Sequence, residues 1–108
     1  MTRGEIWTVA GSGCAGKPRP AVIVQEDRFA NTNSITICSF TTEPTDAPLI
    51  RLLVEPNEHN GLLESCRLMI DKITTVPKAK LGTRLGALDR RDLVRLNRAM
   101  LVFLGLAG

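Results

Sequence analysis

Residues 16–24 read GKPRPAVIV and join a glycine-rich loop to an apolar run typical of a β-strand. Pro18 and Pro20 flank a single cation, Arg19. Because proline fixes its own φ and restricts the residue before it, the backbone at Arg19 has little freedom. A guanidinium held in this way suits a phosphate or another oxyanion. Two prolines that end a loop around a solvated arginine would explain the same residues, so this stretch alone leaves both interpretations open.

The composition is that of one small globular domain, which we expect to span residues 1–108. Hydrophobic residues make up 44% of the 108, which is enough for a modest core. The net charge of +3 is compatible with a polyanionic partner without requiring one. Only 4% of the residues are aromatic, so the stacking surfaces of single-strand binding proteins are scarce.

The cysteines and the single histidine argue against several kinds of site. Three cysteines at wide spacing form no disulfide framework and no C-x-x-C pair. Cys38 and Cys66 fall in strand-like runs, which favours burial, and Cys14 has no base beside it in the glycine-rich loop. His59 lies in a turn next to Glu58 with no second ligand at a metal-binding spacing, so we expect no metal. One histidine also excludes a two-histidine nuclease.

The sequence also predicts where the protein resides. No apolar run has the length of a membrane span, and the N-terminus lacks the apolar core of a signal peptide. We therefore expect a cytoplasmic protein with no membrane partner.

The hydrophobic pattern predicts a mainly β fold that ends in one helix. Asp89 is the predicted helix N-cap, leucines then repeat at helical spacing, and Gly105 ends the helix. Arg91, Arg95 and Arg98 form the opposite, solvated face. Short helical turns are expected at residues 27–29 and 77–81. Strands are predicted at 4–10, 20–25, 34–40, 49–54, 65–73 and 83–87. Six short strands and one amphipathic helix indicate a small, partly open β-barrel capped by the helix.

The residues available for catalysis are arginines, hydroxyl groups and backbone groups. RNA is a substrate that such groups can cleave, because its own 2′-hydroxyl can attack the neighbouring phosphorus. The protein then has to orient that attack and neutralise the charge that builds on the phosphate oxygens. A rigid arginine and a threonine hydroxyl meet most of these requirements without a cofactor.

Five stretches, in the same order along the chain, resemble the MazF/PemK (Kid) family of toxin endoribonucleases. They are RGEIW at 3–7, GKPRPAVIV at 16–24, SFTT at 39–42, MIDKITTV at 69–76 and the leucine-rich tail at 85–106. The resemblance implies the SH3-like, CcdB-like barrel of that family and a homodimer. It also implies cleavage of single-stranded RNA at short sequences without metal or cofactor, leaving a cyclic phosphate and a 5′-hydroxyl. A cognate antitoxin would occupy the RNA groove and inhibit.

The same resemblance implies which residues act. Arg19 matches the catalytic arginine and Thr41 the catalytic threonine, while Thr42, one register step away, is the alternative. Four further cations near the motifs are candidates for contacts with RNA phosphates: Lys17, Arg28, Arg67 and Lys72.

Two departures from the family pattern bear on the recognition of RNA and antitoxin, and two other functions are alternatives to RNA cleavage. The loop before Arg19 lacks the glutamate or glutamine often found there, and Ser39 replaces a proline.

A gyrase poison of the CcdB type shares the fold but depends on a tryptophan near the C-terminus, whereas Trp7 is the only tryptophan here. A non-catalytic RNA-binding barrel would need no threonine beside Arg19 and should be richer in aromatic residues.

Overall fold

The computed structural model describes residues 1–11 and 17–107 as a curled antiparallel sheet followed by one helix. The strands lie in the order β4-β5-β3-β2-β1-β7, and β6 pairs with β3 beside this path. The elements are β1 (Glu5–Val9), β2 (Arg19–Ile23), β3 (Ser34–Thr41), β4 (Arg51–Val54), β5 (Cys66–Met69), β6 (Thr74–Pro77), β7 (Leu81–Ala87) and α1 (Arg90–Phe103). The predicted mainly β fold, an unclosed barrel with a C-terminal helix, is confirmed. Among the described residues, no helix has the length and apolarity needed to cross a lipid bilayer.

Strand β3 is the longest strand and holds the sheet together. It pairs with β6 over residues 34–37, with β2 over 37–39 and with β5 over 40–41. Because successive side chains of a strand point to opposite faces, β3 supplies two separate cores. Cys38 and Phe40 belong to the main core, which includes the fully buried Leu96 of α1. Ile35 and Ile37 belong to a smaller core on the other face, together with Ala21.

Both ends of α1 follow the sequence signals. The Asp89 carboxylate accepts a hydrogen bond from the Asp92 N–H at 2.8 Å, which caps the N-terminus. At the other end Gly105 adopts a φ of 74°. The Leu106 N–H then reaches the Leu101 carbonyl at 2.8 Å, as in a Schellman motif. Of the three arginines predicted on a solvated face, Arg91 and Arg98 are exposed, whereas Arg95 is half-buried and bonded to Asp92.

The prediction of one strand over residues 65–73 is wrong. β5 ends at Met69, a 3-10 turn covers Ile70–Lys72, and the chain re-emerges as β6, a seventh strand that was not predicted. In this turn Ile70 is buried and its N–H bonds to the Ile50 carbonyl at 3.0 Å, while Asp71 pairs with Arg51. The turn carries two charged residues, Asp71 and Lys72, but no glycine or proline, so the sequence pattern alone predicts one continuous strand. The short helical turns are confirmed at Asp27–Phe29 and Lys78–Lys80.

The Glu5 carboxylate gathers hydrogen-bond donors at the start of β1. It accepts from the Thr2 N–H at 2.9 Å, from the Trp7 indole N–H at 3.0 Å and from the Arg84 guanidinium at 3.0 Å. Burial alone would raise the pKa of this carboxyl, but the hydrogen bonds outweigh burial and lower the pKa to about 2. The ionised form is therefore the one that ties the first residues to β1 and β7.

This network gives the protein a pH-dependent stability. The unfolded chain, with its ordinary pKa of 4.5, binds the proton more readily than the native carboxyl. The contribution of Glu5 to the free energy of unfolding is therefore fully present above pH 4.5 and is lost as the pH falls towards 2. We expect Glu5→Gln to flatten the dependence of the urea midpoint on pH in this window. Glu43→Gln, at an exposed position, is the matched control and should keep the wild-type slope; equal slopes for Glu5→Gln and wild type would contradict the prediction.

Candidate active site

Arg19 opens strand β2 at an exposed position and lies between two clefts, each of about 380 Å³. We call the first the sheet cleft; it is lined by Val9, Ala10, Gly11, Arg19, Ile37, Ser39, Phe40, Thr41, Met69, Thr74 and Val76. We call the second the barrel mouth; it is lined by Thr8, Pro18, Arg19, Pro20, Thr42, Gly61, Leu62, Leu63, Glu64, Cys66 and Leu85. Arg19 is the residue common to both.

The register of β2 and β3 puts Arg19 and Thr41 on the same face of the sheet. The paired residues are Ala21 with Ser39 and Ile23 with Ile37, so each pair of numbers sums to 60. The pairing ends at Ala21 and Ser39, and Arg19 and Thr41 each lie two residues beyond that pair. Because side chains two residues apart on a strand point to the same face, both are directed to one side of the sheet. Both residues line the sheet cleft, as that geometry requires.

The Thr41 hydroxyl is oriented by its own loop. Its oxygen accepts a hydrogen bond from the Glu43 N–H at 3.2 Å. A hydroxyl has one donor proton besides its acceptor lone pairs, so the Thr41 O–H remains able to donate into the sheet cleft. Thr42, the next residue, lines the barrel mouth instead.

The charge of the sheet cleft is positive. In the ranges 1–11 and 17–107, Arg19 forms no ion pair, and the described lining of the sheet cleft contains no aspartate or glutamate. Arg67 of β5 stands opposite Thr41 in the strand register and is likewise in no ion pair within those ranges. Arg67 lines a neighbouring cleft, however, so among the described lining residues of the sheet cleft Arg19 is the cation that can attract a phosphodiester.

The other predicted phosphate contacts are not brought to this site. Arg28 lies on the 3-10 turn Asp27–Phe29, pairs with Glu26 at 2.7 Å and stacks over the Phe29 ring at 5.9 Å. Lys72 is exposed on the turn after β5, and Lys17 is exposed before Pro18; neither lines a cleft. The glycine-rich loop at 12–16, with Cys14, lies outside the described residues.

The buried cysteines, the Arg51–Asp71 ion pair and His59 do not contribute to the two clefts as reactive groups. Burial raises the pKa of the Cys38 thiol to about 12, and burial also raises the pKa of Cys66, so both thiols stay protonated, as their predicted burial implies. The Arg51 guanidinium donates to Asp71 and lowers the pKa of that carboxyl. His59 is exposed in its turn. Within the described part of the chain, no three His, Cys, Asp or Glu side chains are grouped closely enough to hold a metal ion.

Several residues of the site were not found from the sequence. Met69 and Thr74 line the sheet cleft, and Leu63 and Glu64 line the barrel mouth. They come from strands and loops far from Arg19 in the chain. Met69 and Thr74 fall in the 69–76 stretch that carries the family resemblance, but that stretch does not by itself place their side chains in a cleft with Arg19. Their place beside Arg19 follows only from the pairing of the strands, which has to be known to the correct register.

The comparisons with known proteins show the family of this chain. Residues 2–104 match the family described as the PemK-like, MazF-like toxin of type II toxin-antitoxin systems. The chain belongs to the PemK/MazF toxin family. It is also 53% identical, over the full length of both chains, to a probable endoribonuclease MazF from Mycolicibacterium smegmatis.

Solved structures of MazF toxins share the fold. An endoribonuclease in complex with its cognate antitoxin, from a mycobacterial species, superposes with a TM-score of 0.79 at 23% identity, covering 100% of this chain and 98% of that one. A MazE–MazF complex from Deinococcus radiodurans gives a TM-score of 0.75 at 15% identity, covering 99% and 98%. At these identities the likeness concerns the fold, and the MazF resemblance derived from the five sequence stretches is confirmed by the family match.

Proposed function

We propose that this MazF-family protein is a toxin endoribonuclease that cleaves single-stranded RNA at short sequences without a metal ion, and that residues 1–108 form its single domain. The observation that carries the proposal is the sheet cleft: Arg19 and Thr41 both line it, the Thr41 hydroxyl is oriented by the Glu43 N–H, and its described lining contains no carboxylate. The 53% identity to a probable endoribonuclease MazF supports the same activity.

In the proposed reaction the RNA supplies its own nucleophile. The 2′-oxygen attacks the adjacent phosphorus and loses its proton, and the bond between phosphorus and the 5′-oxygen breaks. The leaving oxygen takes up a proton, so the products are a 2′,3′-cyclic phosphate and a 5′-hydroxyl. Arg19 neutralises the charge that develops on the non-bridging oxygens, and the Thr41 O–H donates to one of them. Arg67 holds the phosphate from the neighbouring strand.

The proposed partners are a cognate antitoxin and a second copy of this chain. The relatives include toxins solved with an antitoxin bound, which supports an inhibitor that covers the cationic sheet cleft. The homodimer is supported by an apolar surface at the end of α1. Its exposed side chains are Leu101, Val102, Phe103, Leu104 and Leu106. Side chains of this size are seldom left in one exposed patch on a monomer. Both partners act in the cytoplasm, where the RNA is.

The gyrase-poison alternative has little support. The described C-terminal segment carries no tryptophan, and Trp7 lies in β1, where its indole bonds to Glu5. The non-catalytic RNA-binding barrel remains the competitor that an activity assay must separate.

The test is a cleavage assay in EDTA. A long single-stranded RNA incubated with the purified protein should give discrete fragments at the same rate with and without the chelator, because the 2′-hydroxyl needs no metal to activate it. Fragment ends should carry the cyclic phosphate and the 5′-hydroxyl. Inhibition by EDTA that added Mg²⁺ reverses would refute the metal-free reaction, and intact RNA under all conditions would favour the non-catalytic alternative.

A further inference from the structure

The barrel mouth, on the far side of Arg19 from Thr41, is a second cleft that the proposed chemistry does not use. Most of its lining is apolar, and besides Arg19 its polar side chains are Thr8, Thr42 and Glu64. Leu63 on the rim is 99% exposed, which is unusual for a leucine beside a cleft. A volume of about 380 Å³ with apolar walls and few polar groups has the character of a small-ligand site.

The loop that builds one wall of the barrel mouth is held rigidly. Asn60, fully buried, anchors it: its side-chain oxygen accepts from the Asn57 and Leu62 N–H groups at 3.1 and 3.0 Å, and its amide donates to the Glu55 carbonyl at 2.8 Å. The Ala87 N–H of β7 also bonds to a carbonyl of this loop. A wall fixed in this way is formed before any ligand arrives, which lowers the entropic cost of binding.

The barrel mouth contains a carboxylate, Glu64, whereas the described lining of the sheet cleft contains none. This difference in charge indicates which part of a nucleotide each cleft can bind. The Glu64 carboxylate forms no side-chain hydrogen bond and no ion pair, with Arg19 or any other residue, in the part of the chain that the structure describes. Arg19 lines both clefts, but in the barrel mouth the Glu64 carboxylate opposes its charge, so a phosphate is held less favourably there than in the sheet cleft. The same carboxylate accepts hydrogen bonds from the amino groups on base edges. The sheet cleft, which has no carboxylate among its described lining residues, suits the phosphate.

We propose that the barrel mouth binds the nucleobase next to the scissile phosphate, and that Glu64 and Thr42 select a base with an exocyclic amino group over uracil. This inference rests on the proposed function, because the phosphate at Arg19 brings the base to the rim. The apolar walls, Leu62 and Leu85 among them, cover the faces of the base in place of the aromatic stacking that this sequence lacks. Arg19, which lines both clefts, holds the link between base and phosphate.

The test uses short RNAs that differ only in the base next to the mapped cleavage site. Cleavage efficiency, kcat/KM, is measured for each, and binding is measured with copies carrying 2′-deoxyribose at that site, which cannot be cleaved. The wild-type protein should prefer amino-bearing bases over uracil by on the order of 10- to 100-fold in both measurements. Glu64→Gln, which adds an amide donor, should abolish this preference or shift it towards uracil. Glu58→Gln removes the same charge from an exposed position of the same loop, outside the mouth, and should keep the wild-type preference.

The outcomes separate the two proposals. Cleavage with a base preference that Glu64→Gln leaves unchanged would overturn the base site and leave the ribonuclease intact. Equal effects of Glu64→Gln and Glu58→Gln on every RNA would reduce Glu64 to a long-range charge and would also overturn the base site. Selective binding without cleavage, abolished by Glu64→Gln, would support the base site and refute the ribonuclease. Absence of both binding and cleavage would refute both.

Discussion

Arg19→Ala is expected to lower the rate of RNA cleavage by on the order of 10²–10³, the usual effect of removing one donor to a developing oxyanion. The reason is the geometry of the sheet cleft, which Arg19 and Thr41 both line and in whose described lining no carboxylate competes for the charge of the arginine. Arg19→Lys should recover only part of the loss, because an ammonium keeps the charge but lacks the planar fork that matches two phosphate oxygens. The measurement is the single-turnover rate on an RNA with one mapped site.

Stability measurements separate a catalytic arginine from a structural one. Arg19 is exposed and forms no ion pair within the described ranges, so its removal leaves no buried group without a partner. We expect the free energy of unfolding of Arg19→Ala to stay within about 0.5 kcal/mol of the wild type. Arg90→Ala, at an exposed position in the first turn of α1, is the matched control and should keep full activity. A non-cooperative urea transition in Arg19→Ala would mean that the arginine supports the fold.

Gly61→Ala is expected to be among the most destabilising single changes, at about 2–5 kcal/mol, for two reasons that add. Gly61 has a φ of 69°, in the left-handed region that non-glycine residues avoid. A Cβ atom built on Gly61 would also lie 2.1 Å from the Leu85 carbonyl oxygen, and backbone cannot move aside as a flexible side chain can. The loop would have to separate from β7, which would open one wall of the barrel mouth.

Gly105→Ala isolates the backbone part of this cost. Gly105 has a nearly equal φ of 74°, but a Cβ atom there would meet no atom of residues 1–11 or 17–107 within 4 Å. We expect it to cost about 1 kcal/mol, the usual penalty of a left-handed conformation. The free energies of unfolding from urea titrations decide the comparison. Equal losses for the two variants would mean that the contact with Leu85 contributes nothing.

The parts of the fold that were predicted from the sequence are those with local signals. Alternation marks β3, the Asp89 cap and Gly105 mark the ends of α1, and the two prolines mark the entry to β2. β6 was missed because the turn before it has no glycine or proline, and because its pairing with the first half of β3 joins residues about 40 positions apart. No local pattern encodes such a pairing.

The candidate site was predictable in its chemistry and less so in its geometry. Arg19 carries a local signal in its flanking prolines. Whether Thr41 or Thr42 shares the sheet cleft with Arg19 depends on the register between β2 and β3. The sequence does not specify this register to one residue. Arg67, one of four candidate cations, gains its place beside Thr41 only through the pairing of β3 with β5. Catalytic roles for Arg19 and Thr41 stay predictions until the variants are assayed.

Strand β3 has a consequence for how the protein unfolds. Its alternate residues belong to both cores, and its last residue, Thr41, lies in the sheet cleft. Separation of β3 from the sheet would therefore disrupt both cores at once, because the strand is shared. We expect the amide protons of Ile35 and Cys38, on opposite faces, to exchange with solvent through one common opening event and therefore with equal free energies of opening. The sheet cleft would then share the stability of the whole domain, so that the candidate site is lost only together with the fold.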